Sequence, residues 1–296
     1  MNILITGGKG QLGTEVHKCL LEGKTELGEL SSELIGSNVT AIDIDELDVT
    51  DIDAVDKVFL NGNYDVVINC SAYTNVNGCE TDKDTAFKVN AIGVRNLAMC
   101  AEKYNCKIVH VSTDYVFSGD ATEPYTEWDI CNPQSVYGKT KYLGEQYVRD
   151  FSTKYYIVRT SWLYGYYGNN FVKTMQKLGS TKDEIKVVND QIGNPTNACD
   201  LAHHILKLIT TQEYGVYHCT GEGECSWYDF ACKIMEYSKL NCKVNPCTTE
   251  EYPTPTKRPA YSALDNMMLR CTVGNEMRNW DDALKCFILH QNEKTN

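Results

Sequence analysis

A short apolar run, Asn2–Thr6 (NILIT), leads directly into Thr6-Gly7-Gly8-Lys9-Gly10-Gln11-Leu12-Gly13, and a helical stretch follows from Gln11 to Leu21. This junction restricts the fold more than any other segment. Gly7, Gly10 and Gly13 form a G-x-x-G-x-x-G pattern. The first glycine permits a tight turn, the second lets backbone approach a pyrophosphate, and the third lets helix and strand pack closely. The first-turn N–H groups of the helix are then free to meet phosphate oxygens. A dinucleotide site is the chemistry that needs glycines at this place.

The alternation continues beyond the turn. Val39–Ile42, Asp65–Asn69, Lys107–Val111 and Tyr155–Arg159 read as strands; Asp51–Leu60, Thr81–Tyr104 and Ser135–Phe151 read as helices. Continuous apolar strands alternating with helices predict βαβ units and a parallel sheet covered on both faces. Right-handed crossovers make this an α/β, doubly wound, Rossmann-type sheet. After about residue 165 the rhythm changes: short strands at Ile185–Val188 and Val216–His218 mix with helices near Ala198–Thr211 and Ser226–Tyr237. The proline-bearing stretch Glu251–Tyr261 is not helical. The expected organisation is a dinucleotide-binding domain over 1–165, to which the chain returns near 190–215, and a smaller α/β domain, mainly for the substrate, over 166–296.

Composition removes whole classes of function. With 40 acidic against 28 basic residues the net charge is −12, which argues against a nucleic-acid surface. No apolar run reaches membrane-spanning length, and the N-terminus lacks a signal-peptide pattern, so a cytoplasmic protein without a membrane partner is expected. The 14 cysteines show no CxxC pair and read as reduced thiols, many of them small core residues. The histidines form no metal pattern, and no metal is expected.

Three further places bear on chemistry. Asp43 closes the second strand, where a carboxylate accepts the ribose hydroxyls of a dinucleotide; no arginine follows it to hold a 2′-phosphate, which leans toward NADH. Tyr137 and Lys141 are four apart on one helix face, so an ammonium sits near a phenol and lowers its pKa from about 10 toward the range for proton transfer. Ser112 and Thr113 stand at the C-terminal edge of the Lys107–Val111 strand, on the side of the sheet where such folds bind ligands.

The glycine turn, the Ser/Thr after the fourth strand and YxxxK together resemble the extended short-chain dehydrogenase/reductases. The segments VHVSTDYVFSG, NPQSVYGKTKYLGEQ, RTSWLYG, NNFVKTM, VVNDQIGNPT, YHCTGEG and YPTPTKRP narrow this to the dTDP-4-dehydrorhamnose reductase family, from Met1 to about Asp281. The resemblance implies a reductase that uses NADPH or NADH on a dTDP-linked 4-keto-6-deoxy sugar, as a monomer or homodimer. Tyr137 would protonate the 4-keto oxygen, Lys141 bind the nicotinamide ribose, and Thr113 hold the oxygen as charge develops. Asp114 and Trp162 would touch substrate. The Gly10-Gln11-Leu12 backbone would hold the pyrophosphate, Asp48 and Val49 the adenine side, and Ala72, Tyr73 and Thr74 the inner cofactor region. Arg258, in TKRP, offers a bidentate fork to the substrate diphosphate.

Alternatives differ at named residues. A 4,6-dehydratase of this superfamily carries Asp-Glu after the threonine, whereas Thr113 is followed by Asp114 and Tyr115. A 4-epimerase shares the fold and YxxxK but not the finer segments. A bifunctional 3,5-epimerase/4-reductase and a non-catalytic dinucleotide-binding regulatory subunit remain as competing readings. Some relatives pair through carboxylate-bound magnesium; Glu15 matches one such position, but Cys199 stands where another acid is expected, so the metal is not carried over.

Overall fold

The computed structural model describes residues 1–294. Six parallel strands form the central sheet: β1 (Asn2–Thr6), β2 (Asn38–Ile42), β3 (Val66–Asn69), β4 (Lys107–Thr113), β5 (Tyr155–Thr160) and β6 (Gly215–His218). Their order is β6-β5-β4-β3-β1-β2. The chain leaves β1 toward β2, then crosses back to place β3 on β1's other side. The strand order therefore reverses between β1 and β3, and the crevice beyond their C-terminal ends is where such sheets receive ligands.

The strands are largely apolar because both faces are covered. Ile3, Ile5, Val66, Ile68, Val109 and Val158 pack with helices α1 (Gln11–Glu22) and, later in the chain, Ala198–Ile209. Leu4, Val67, Ile108 and Ile157 point the other way, onto α2 (Ile52–Gly62), α3 (Val94–Lys103) and α4 (Val136–Phe151). Asp51 caps α2 through the N–H groups of Asp53 and Ala54, and Ser135 caps α4 through that of Gly138.

Two expectations are revised. The helix expected over Thr81–Tyr104 is broken into Val76–Thr81, Lys83–Phe87, a π-helical turn at Lys88–Gly93, and α3. Asp82 caps the second piece, and the π turn carries Asn90, whose side chain accepts the N–H of Tyr73 in the preceding loop. The strand read at Val216–His218 is β6, an edge strand of the main sheet paired with β5, and not part of the smaller core. The helix Ala198–Ile209, labelled α5, lies on the same sheet and buries Leu201, Ile205 and Leu208.

The smaller core gathers Tyr164, Tyr166, Val172, Ile185, Val187, Phe230, Ile234, Leu284 and Phe287. It is built around a parallel pair, Glu184–Val188 with Lys243–Cys247, and helix α6 (Trp227–Tyr237). All 14 cysteines are free thiols, nine of them buried.

Candidate active site

The turn after β1 has the geometry that its glycines allow. Gly7 adopts φ +69°, and a Cβ there would lie 2.8 Å from the backbone of Cys70 and Ser71, just past β3. A Cβ on Gly13 would lie 2.2 Å from the Gly7 carbonyl oxygen. Only hydrogen fits at either position. Helix α1 begins after Gly10 with no side-chain cap, so its first-turn N–H groups face the crevice without an internal acceptor. This cradle fits a dinucleotide pyrophosphate.

A cavity of about 770 Å³ opens above the sheet at this point. Every site residue expected from sequence lines it except Gly13, which packs behind the turn. One part of the lining consists of Gly7, Gly10, Gln11, Leu12, Asp43, Asp48, Val49, Ala72, Tyr73 and Thr74, and another of Thr113, Asp114, Tyr137, Lys141, Trp162 and Arg258. Asp43 also braces the glycine turn: its Oδ2 accepts the Lys9 N–H at 2.9 Å. Asp48 accepts both the N–H and the hydroxyl of Thr50.

Thr113 ends β4 and is 6 % exposed. Its hydroxyl donates to Asp114 Oδ1 at 2.8 Å and accepts the Tyr115 N–H at 3.2 Å. Burial lifts the Asp114 carboxyl to about 6, against hydrogen bonds from Ser262, Thr113 and backbone. Tyr137 lies edge-on to Tyr115, with ring centroids 5.6 Å apart. Arg258 Nη1 donates to the Tyr115 hydroxyl at 3.4 Å.

The electrostatics of the Tyr137–Lys141 pair differ from the sequence expectation. Desolvation pushes the phenol of Tyr137 well above its ordinary value, the Asp114 charge pushes it further, and hydrogen bonding with Thr113 only partly offsets them. Lys141 does not set the direction. It is 2 % exposed, burial depresses its ammonium to about 8, and Nζ donates to the Val111 carbonyl at 2.6 Å. The phenol is therefore held fully protonated at neutral pH, the form a proton donor requires.

Sequence reasoning missed Asn90. It is fully buried, accepts the Tyr73 N–H at 2.8 Å, and donates to the Tyr73 carbonyl and the Thr140 hydroxyl, both at 3.2 Å. It thereby ties the loop that carries Tyr73 to α4. An asparagine inside an apolar helical stretch was the one available signal. Gln11 was expected only through its backbone, but its side chain also donates to Leu163 and accepts from Asn170. Trp227, a further cavity residue, belongs to no motif read above.

Glu15, Cys19 and Cys199 are buried with one carboxylate oxygen and two sulfurs within 4.8 Å of one another. Cys199 Sγ accepts the Glu26 N–H at 3.4 Å, and its thiol is pushed far up by Cys19 and by burial, which keeps it protonated.

The family model for the RmlD substrate binding domain matches residues 1–292. The chain belongs to this family. It is 42 % identical to a dTDP-4-dehydrorhamnose reductase from Aggregatibacter actinomycetemcomitans, over 96 % of this chain and 97 % of that one. A crystal structure of a dTDP-4-dehydrorhamnose reductase from Clostridium acetobutylicum superposes with a TM-score of 0.93 at 51 % identity, covering 99 % of this chain and 100 % of that chain. A second, from Bacillus anthracis in complex with NADP, gives 0.91 at 43 % identity, covering 97 % and 98 %. Among the described residues, no helix of this family member is long and apolar enough to cross a membrane.

Proposed function

We propose that the chain reduces the 4-keto group of dTDP-4-dehydro-6-deoxy-L-mannose to dTDP-L-rhamnose with NADPH or NADH. The observation that carries this reading is that Thr113, Tyr137 and Lys141 share one cavity with the uncapped helix N-terminus and the glycine turn. The names borne by relatives that match over nearly full length support the substrate.

In this reading the sheet side, 1–165, holds the dinucleotide, and 166–296 supplies mainly the sugar-nucleotide side. The glycine turn and the α1 N-terminus hold the pyrophosphate, Asp43 the adenine ribose, and Ala72, Tyr73 and Thr74 the inner cofactor. NAD(P)H, when bound, supplies the hydride that carbon 4 receives. The Thr113 hydroxyl, which donates to Asp114 Oδ1 in this structure, turns to the keto oxygen, where negative charge develops. Tyr137 gives that oxygen its proton, and its raised pKa matches a group that must arrive protonated. The buried Lys141 ammonium stabilises the phenolate that remains and binds the nicotinamide ribose. Trp162 touches the sugar, and Arg258 takes the diphosphate, whose remote binding orients the reacting carbon. The working compartment is the cytoplasm, with no nucleic-acid or membrane partner, and the active species is a monomer or homodimer.

Cofactor oxidation with dTDP-4-keto-6-deoxy-L-mannose, with NADH and NADPH compared in parallel, tests the reading. Oxidation with formation of dTDP-L-rhamnose supports it. Consumption of the unepimerised D-configured 4-keto precursor without added epimerase replaces it with the bifunctional reading. Dinucleotide binding with no oxidation of either sugar replaces it with the regulatory-subunit reading.

A further inference from the structure

Trp162 has φ +46°, a backbone conformation that a bulky side chain rarely adopts. The surroundings fix it there. Its neighbour Ser161 donates to the Asn194 carbonyl at 2.7 Å, its own carbonyl accepts the Thr196 N–H at 3.3 Å, and Leu163 pairs with Thr196. Just before those anchors comes Gly193, where a Cβ would lie 2.7 Å from the Trp162 indole. The indole therefore packs closely against bare backbone at Gly193. On another side it stacks on Trp227, with ring centroids 3.5 Å apart and planes 6° from parallel.

Trp227 is itself fixed. Ile192–Gly193 pairs antiparallel with Cys225–Ser226, and Ser226 then caps α6 in a reciprocal capping box with Asp229. The strand that gives way beneath Trp162 is thus hydrogen-bonded to the segment that presents Trp227. Phe171 supports Trp227, with centroids 4.4 Å apart. Both indoles line the cavity.

Their place along the sheet indicates what they meet. Thr160 pairs directly with Thr113 across β5 and β4, and Trp162 follows two residues later. The indole therefore stands beside the reacting sugar, not at the far end of the nucleotide. A 6-deoxyhexose offers hydroxyls at its edges but a methyl group and C–H bonds on one face, which suit a flat apolar wall. Resting on the function proposed above, we infer that Trp227 and Gly193 are positioning residues that hold the Trp162 indole as the wall against which the 6-deoxy-sugar packs.

Trp227→Leu, Trp227→Phe and Gly193→Ala test this in the full chain. Gly193 has no positive φ, so alanine acts there only by displacing the indole. Trp227→Leu and Gly193→Ala should each raise KM for the dTDP-4-keto-6-deoxy sugar about tenfold, and Trp227→Phe about threefold, since an aromatic pair contributes on this scale beyond its buried area. In all three, kcat should stay within about threefold, with unchanged Kd for NADPH and Ki for dTDP alone. The exciton couplet of the stacked indoles in circular dichroism should disappear in both Trp227 variants and weaken in Gly193→Ala. Unchanged KM in a variant that binds NADPH and has lost the couplet overturns the inference. A parallel loss of dTDP affinity overturns it too, because the wall would then serve the nucleotide. Failure of the wild-type chain to reduce the sugar overturns the proposed function itself, a separate outcome.

Discussion

Arg159 and Glu145 form a two-point ion pair sealed from solvent: Nη2 lies 2.7 Å from Oε2 and Nε 2.9 Å from Oε1, with side chains 1 % and 0 % exposed. Glu145 Oε1 also accepts the Ser112 hydroxyl at 2.6 Å. The pair joins β5 to α4 one turn beyond Lys141, and the Ser112 bond joins both to the end of β4. It thus fixes the relative positions of the strand that carries Thr113 and the helix that carries Tyr137 and Lys141.

Glu145→Gln leaves the Arg159 guanidinium buried without its counter-charge. Breaking such a pair from one side costs about 3–5 kcal/mol. The urea midpoint should fall accordingly, with an unchanged m-value. A loss below about 1 kcal/mol would show that the pair does not organise the fold.

Tyr137→Phe keeps the ring and its edge-on packing against Tyr115 but removes the acid. Turnover should fall at least about a hundredfold while NADPH affinity is largely kept. Steady-state reduction beside a direct dinucleotide titration checks both. Near wild-type turnover would remove Tyr137 from the chemistry.

Asp114 should give stability a pH dependence of definite sign. Folded, its carboxyl takes up a proton at about 6, whereas an unfolded aspartate does so near 4. Between those values the folded chain binds more protons, so this group's contribution is complete below about pH 4 and is lost as pH rises through 6. The difference amounts to about 3 kcal/mol. Asp114→Asn should therefore raise Tm at pH 8 relative to wild type and change it little at pH 4. Equal shifts at both pH values would disprove the assignment.

Lys141 has its ammonium depressed to about 8 by burial. Its charge is complete below that pH and lost above it, so kcat/KM should decline above pH 8. Lys141→Arg stays charged throughout, and in whatever activity remains this limb should be absent.

Asp43, proposed above to hold the adenine ribose, braces the glycine turn through the Lys9 N–H. Asp43→Ala should weaken NADH more than NADPH, as measured by the two Kd values. An equal loss for both cofactors would leave only the bracing role.

What the sequence determined by itself rests on local rules. The strands and the Gly7–Gly13 turn were legible because apolar runs and turn glycines act within a few residues. Most residues that line the cavity were legible through motif spacing and family resemblance. The tertiary structure decided whatever depends on distant partners. Asn90 sits in a π-helical turn of a predicted helix, where Tyr73 and Thr140 engage it from other elements. Val216–His218 joins the main sheet because β5 offers it an edge. The phenol of Tyr137 is raised, not lowered, because desolvation and Asp114 outweigh a lysine whose ammonium is directed at Val111. Four-residue spacing on a helix sets proximity; the sign of a pKa shift follows from burial and from every charge that the fold places nearby.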